Sequence, residues 1–328
     1  MTTACHMARC HALTIHNHEA PVSKLPMELL SEIFHIGLDK YDLDDYHAIK
    51  YPSAISSICS NWRDTALGTP SLWRCIIYRD DEHYHDQNPH LKTESPTIPR
   101  HTIDHLIAYL SRSKSRSIHL HLRFGASPLR IQAMKSILYP PLSRCLSIWL
   151  RFASKSNMGD FFPLPGNLCL LTEFNCSGER DWSYFGRSRC APLPIFAEPE
   201  SVSLQKLILD CCRNPPDNIN VQDIEDVRLG WICNSWCEGV TFLSRCHSLT
   251  TLIITELISF GPEQPPFTLP HLTYLHTVGF AMLKVACTPN LRMLVHTDIY
   301  GDEPAGDVVR LPSLPALTTL CYMRKHDL

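Results

Sequence analysis

Leu204-Gln205-Lys206-Leu207-Ile208-Leu209 places leucines at its first, fourth and sixth positions, with Lys206 before Leu207 and Ile208 between Leu207 and Leu209. Side chains that alternate in this way build a strand with one buried side. The same spacing starts at Leu171 (Phe174, Cys176) and Cys145 (Ile148, Leu150) on the N-terminal side. On the C-terminal side it starts at Ile224 (Val227, Leu229), Leu249 (Leu252, Ile254), Leu272 (Leu275), Leu291 (Leu294) and Leu317 (Leu320). Successive starts lie 26, 33, 20, 25, 23, 19 and 26 residues apart, a weak internal repetition. Ile118, Leu120 and Leu122 form an earlier strand pattern, and helical patterns fall at Leu129–Leu138 and Trp236–Leu243.

These segments resemble leucine-rich repeats, whose units run roughly 20–29 residues and each give one strand to a curved parallel sheet. That family places Asn or Cys eight residues after the first leucine. Here Cys212 alone matches, while Ile232, Leu257, Phe280, Ile299 and Lys325 hold the corresponding places. The departure implies irregular turns, as do Pro262, Pro265, Pro266, Pro289, Pro312 and Pro315 in the connections. The resemblance implies an α/β fold, an irregular leucine-rich-repeat-like solenoid bent into a partial horseshoe. A compact α/β domain with scattered Leu-x-x-Leu pairs is the competing reading. In the repeat register, Lys206, Asp210, Asp226, Arg228, Trp231, Tyr274, His276 and Met293 face the concave side. A shift of one residue would turn them all away. Such a mixed-charge, aromatic-bearing surface suits a protein or peptide target.

Near the N-terminus, residues 25–34 read Leu-Pro-Met-Glu-Leu-Leu-Ser-Glu-Ile-Phe. Pro26 suits a first helical turn, and Glu28 meets the positive end of the helix dipole. Leu29, Leu30, Ile33, Phe34 and Leu38 then share one face. A second helical set, Ile55, Ile58, Cys59, Trp62 and Ala66, stops at Gly68 and Pro70, followed by Leu72 and Trp73.

With Trp62-Arg63 and Pro70-x-Leu72-Trp73 at this distance, residues 25–73 resemble an F-box, in an arrangement similar to fungal F-box families. The F-box is a short helical module that docks a protein onto the Skp-type adaptor of a cullin ubiquitin ligase. The resemblance implies adaptor contact through Leu25, Pro26, Glu28, Leu29, Leu30, Ile33, Phe34, Ile58 and Trp62. So short a module has a marginal core, so exposed Leu25, Pro26 and Leu29 are tolerable if a partner covers them. The alternative is a non-catalytic repeat scaffold whose F-box-like helices only cap the array. Asp39–Tyr51 is a polar, acidic insertion longer than the family usually has, which puts the placement of the second helix in doubt.

Four regions are expected. Residues 1–22 lack periodicity and read as a disordered tail. An F-box-like domain at 23–76 follows, then a polar linker at 77–100, then the repeat-like domain at 101–328. The last opens on an amphipathic helix through Ile103, Leu106, Ile107 and Leu110, and Gly178–Pro199 reads as an insertion within it.

A net charge of −3 and a pI near 6.6 give no general pull toward nucleic acid or anionic lipid. Arg112, Lys114, Arg116 and Arg123 cluster, but acidic neighbours make this a solvated face. No apolar run reaches the length of a membrane span, and the N-terminus lacks the hydrophobic core of a signal peptide. Fifteen cysteines without a Cys-x-x-Cys pair read as small core residues of a reducing cytoplasmic or nuclear compartment. Cys5-His6 with Cys10-His11 is the nearest approach to a zinc site. No nucleophile elbow, phosphate loop, dinucleotide turn or zinc-protease helix occurs, so no cofactor, metal or catalytic activity is expected. What the resemblance implies is a substrate receptor that joins the adaptor, and through it a cullin scaffold, to a protein target.

Overall fold

The computed structural model describes residues 20–38, 40, 46–79, 103–124, 128–152, 158–159, 161–178, 195–197, 202–210, 219–230, 236–255, 266–278, 286–298 and 314–324. Six α-helices lie among them. They are α1 (Met27–Leu38), α2 (Tyr46–Ser56), α3 (Ser60–Gly68), α4 (Ile103–Arg112), α5 (Pro128–Leu138) and α6 (Trp236–Arg245). The strands are β1 (Cys75–Arg79), β2 (Ile118–Phe124), β3 (Cys145–Phe152), β4 (Glu173–Gly178), β5 (Lys206–Leu209) and β6 (Asp226–Leu229). After them come β7 (Thr251–Ile254), β8 (Phe267–Thr268), β9 (Tyr274–Val278), β10 (Ala286–Cys287), β11 (Met293–Asp298) and β12 (Thr319–Arg324).

Ten strands form one parallel sheet in the order β1-β2-β3-β4-β5-β6-β7-β9-β11-β12, and β8 pairs with β10 separately. This corrects the expected architecture of an N-terminal helical F-box followed by a leucine-rich-repeat-like solenoid in a partial horseshoe. The parallel sheet with six helices fits a Rossmann-like α/β arrangement instead, although strand order follows chain order without a reversal. The pattern misled because apolar alternation records which face of a strand is buried, a property any half-covered parallel strand has. It also missed β1, whose Cys75, Ile76, Ile77 and Tyr78 are all buried, so that no alternation shows.

The second helical set is likewise corrected. Ser57 and Ile58 close a turn on Ala54 and Ile55, and extended Cys59 precedes α3, so residues 55–66 are not one helix. Tyr46–Tyr51, read as part of a polar insertion, is the start of α2. The expected tail up to residue 19, with Cys5-His6 and Cys10-His11, most of the linker and residues 179–194 of the insertion lie outside the described residues.

Two compact units divide the chain: Met1–Tyr78 with His101–His121, and Arg79–Arg100 with Leu122–Leu328. In the first, Leu30, Phe34, Ile55, Leu72 and Trp73 are buried. Trp73 is its hub. The indole Nε1 donates to the Ala66 carbonyl at 2.8 Å, and the ring meets Tyr109 edge-on at 4.9 Å. The Arg112 guanidinium stands 4.4 Å over the same ring, and the Tyr109 hydroxyl lies 3.0 Å from Ser53 Oγ.

In the second unit the register aligns Ile148, Phe174, Leu207, Val227, Leu252, Leu275 and Leu294, all fully buried. Phe124, Phe161, Phe152, Phe162, Phe174 and Phe196 form a chain of rings beside this row, with centroids 4.8–6.4 Å apart. The entries to β5, β6, β7, β9, β11 and β12 carry a repeated clamp. The carbonyls of Thr172, Gln205, Glu225, Thr250, Thr273 and Arg292 each accept two consecutive N–H groups from the next segment at 2.8–3.1 Å. Three of these carbonyls take a further donor, the hydroxyls of Thr250, Thr273 and Thr318 bonding Glu225, Thr250 and Arg292.

Candidate functional site

Residues between the buried positions of β3 to β11 emerge on the opposite face of the sheet. One row runs Glu173, Lys206, Asp226, Thr251, Tyr274 and Met293, and the next runs Trp149, Asn175, Ile208, Arg228, Ile253, His276 and Val295. Lys206, Asp226, Arg228, Tyr274, His276 and Met293 are thus brought onto one face, and Asp210 follows β5 directly. Trp231 lies outside the described residues.

Charge on this face is arranged in pairs. Lys206 Nζ sits 2.9 Å from Glu173 Oε1 and 5.9 Å from the centre of the Trp149 ring. Arg228 Nε sits 3.3 Å from Asp210 Oδ1. Both pairs are partly exposed, so each contributes at most about 1 kcal/mol to stability. Burial pushes the Asp226 carboxyl above the ordinary aspartate value, with Glu173 pushing the same way and Lys206 and Arg228 opposing. Glu173, Trp149 and Thr251 were not among the residues expected here. Their signal was present, since each occupies a between-position of the same strand pattern.

Gly230 fixes where Asp210 stands. A Cβ there would lie 2.9 Å from the Asp210 Cα, a backbone atom that cannot swing aside. Gly230→Ala is expected to displace Asp210 from Arg228 and to cost about 1–3 kcal/mol. A urea midpoint unchanged from wild type would refute this close approach.

His276 Nε2 lies 3.0 Å from Thr297 Oγ1. Burial, and after it the charge of Arg228, hold its pKa below the ordinary histidine value of 6.5. The unfolded chain therefore takes up the proton first. Stability is intact above the ordinary histidine value and is lost as pH falls through it toward the lower folded value. His276→Gln is expected to flatten that stretch of the stability–pH curve, measured as urea midpoints from about pH 7 to about pH 5.

In the first unit, α1 presents two different faces. Leu30 and Phe34, expected at the adaptor surface, are fully buried, and Phe34 packs on Trp62 with ring centroids 5.1 Å apart. Trp62 and Leu25 are half-buried, while Pro26 and Glu28 are exposed. Met27, Leu29, Ile33, Ile36 and Ile58 are large apolar residues with 44–60 % of their surface exposed. The i, i+4 spacing of Leu29 and Ile33, continued by Ile36, makes these three a stripe along α1. Met27 and Ile36 were not among the residues expected here; Ile36 extends the spacing of Leu29 and Ile33, whereas Met27 stands apart from it at the start of α1.

Other chemistry is sparse. Burial pushes the Cys145 and Cys246 thiols up to about 12, away from nucleophilic character. Among the described residues no His, Cys, Asp or Glu cluster could hold a metal ion, and no helix is long and apolar enough to cross a membrane. No family model matches the chain, and no curated protein matches it.

Proposed function

We propose that the chain is the substrate-recognition subunit of a Skp–cullin–F-box ubiquitin ligase, binding the adaptor through α1 and its surroundings and a protein target through the open sheet face. The observation that carries the reading is the exposed stripe Leu29, Ile33 and Ile36 along α1, with Met27 and Ile58 exposed in the same unit. Apolar residues at helical spacing outside a core mark a docking surface. They coincide with the F-box-like sequence. Leu30, Phe34 and Trp62 then serve to hold α1 rather than to touch the adaptor.

The mechanism is proximity. The receptor raises the effective concentration of a target lysine near a ubiquitin-loaded enzyme held elsewhere on the scaffold, and contributes no bond-making group. The paired charges and the Trp149 and Tyr274 rings favour a polypeptide as the target. Such ligases work in the cytosol and nucleus, which places the chain there.

The test is recovery of a purified Skp-type adaptor on the immobilised chain. Leu29→Ala and Ile33→Ala are each expected to weaken capture by about 1–2 kcal/mol, about 5- to 30-fold, with the fold retained because both side chains are exposed. Capture that is absent from the wild type, or equal in all three proteins, would leave the helices as a mere cover for the unit and end the receptor reading.

A further inference from the structure

Between α4 and β2 the chain reads Ser111-Arg112-Ser113-Lys114-Ser115-Arg116-Ser117, serine alternating with a cation. Neither docking surface uses this stretch. Two successive turns fold it back: the Lys114 N–H donates to the Ser111 carbonyl at 3.3 Å, and the Arg116 N–H to the Ser113 carbonyl at 3.0 Å. Lys114 takes a left-handed conformation, with φ of 49°, to make the reversal. The four serines are not equivalent. Ser113 is fully buried, and its hydroxyl donates to the Leu110 carbonyl at 2.9 Å. Ser111 belongs to the last turn of α4, and Ser117 is half-buried. Ser115 alone of the four is both exposed and outside a regular element. Arg112 stands three residues before it, and Lys114 and Arg116 flank it. Among the described residues Ser147 and Ser248 also follow an arginine by three places, but Ser147 is buried in β3 and Ser248 is half-buried.

We propose that Ser115 is a phosphorylation site for an arginine-directed protein kinase, and that its phosphate draws Arg112 away from Trp73. A serine in an exposed turn with cations on both sides complements an acidic substrate cleft, and such a turn opens locally at little cost. The Ser115 hydroxyl oxygen forms a bond to the γ-phosphorus of ATP, the bond from that phosphorus to ADP breaks, and the hydroxyl proton passes to the carboxylate base of the kinase. The product carries a charge of about −2 three residues from Arg112. In the unmodified chain the Arg112 guanidinium stands 4.4 Å over the Trp73 ring. A phosphate offers the guanidinium paired, charge-assisted hydrogen bonds, a stronger attraction than the face of an indole. Arg112 therefore turns to the phosphate, and α4 loses one of its two ties to Trp73, the other being Tyr109. The site depends on neither the adaptor reading nor the target reading.

The test incubates the intact chain with magnesium ATP and the catalytic subunit of cyclic-AMP-dependent protein kinase, an arginine-directed enzyme, and locates the phosphate by mass spectrometry. Ser115 is expected to carry it. Ser115→Ala is expected to lose that phosphopeptide while its circular dichroism matches the wild type, since the side chain is exposed. Hydrogen exchange then compares the phosphorylated chain with the same sample after phosphatase treatment. The amides of α4 are expected to be about two- to fivefold less protected in the phosphorylated chain, the loss of one cation–π contact, and to recover when the phosphate is removed. The proposal is overturned if Ser115 stays unmodified or if phosphate is confined to other serines. It is also overturned if α4 is equally protected with and without the phosphate.

Discussion

Replacing Phe161 with alanine is expected to destabilise the second unit by about 3–5 kcal/mol, the range for a fully buried Phe truncated in a core. Its ring meets Phe124 at 4.8 Å, Phe152 at 5.8 Å, Phe162 at 5.9 Å and Tyr139 at 6.5 Å. Four aromatic rings thus surround Phe161. Losing it removes the transfer energy of the side chain and opens a cavity that rigid neighbours cannot refill. The Tyr139 hydroxyl, which donates to the Phe161 carbonyl at 3.0 Å, keeps the backbone from collapsing into that space. Denaturant unfolding followed by amide protection of β3 and β4 checks the outcome. A loss below about 1 kcal/mol would mean that the surrounding rings close over the gap.

Trp73→Ala is the second large expectation, again about 3–5 kcal/mol, this time in the first unit. Three interactions go with the indole: the bond to the Ala66 carbonyl, the edge-on contact with Tyr109 and the guanidinium of Arg112 above the ring. The Ala66 carbonyl loses its side-chain donor but keeps the Thr69 N–H at 3.2 Å, so the lost bond itself contributes only about 0.5–1.5 kcal/mol. Trp73→Phe separates these contributions, since it keeps an aromatic ring but not the N–H. It is expected to recover most of the packing and none of the bond to Ala66. Because Tyr109 belongs to α4, the alanine variant should also lose protection in α4. Intact α4 protection in Trp73→Ala would show that Ser53 and the helix itself suffice to hold Tyr109.

What could be read in the sequence divides by the type of contact. Strands β3 to β12 were legible where each follows a Leu-x-x-Leu spacing, because one buried face leaves a period of two. The face carrying Lys206, Asp226, Arg228, Tyr274, His276 and Met293 followed from the same period. Architecture was not legible: local spacing says nothing about whether strands close into one sheet or stack as a separate array behind a helical module. β1 escaped notice because four successive buried residues erase the period, and the Phe161 cluster because its members come from connections and strands far apart in the chain. In α1 the periodicity was plain, but the five apolar residues assigned to one face separate into Leu30 and Phe34 inside, Leu29 and Ile33 outside, and Leu38 half-buried. Neighbouring positions on a helix stand 100° apart, and only the packed partner, Trp62, decides which of the two stripes is covered.

The strand-entry clamp has an evolutionary consequence. Strands β5, β6, β7, β9, β11 and β12 are each aligned by two N–H groups meeting one carbonyl at the strand entry, so their alignment does not depend on how much chain precedes that point. Connections of very different length can therefore feed strands of identical register, as the unequal intervals of 19 to 33 residues between pattern starts already illustrate. Lineages of this protein are free to lengthen, shorten or replace those connections and acquire new surfaces there, while a single-residue deletion between Thr250 and Ile254 would invert a strand and be purged.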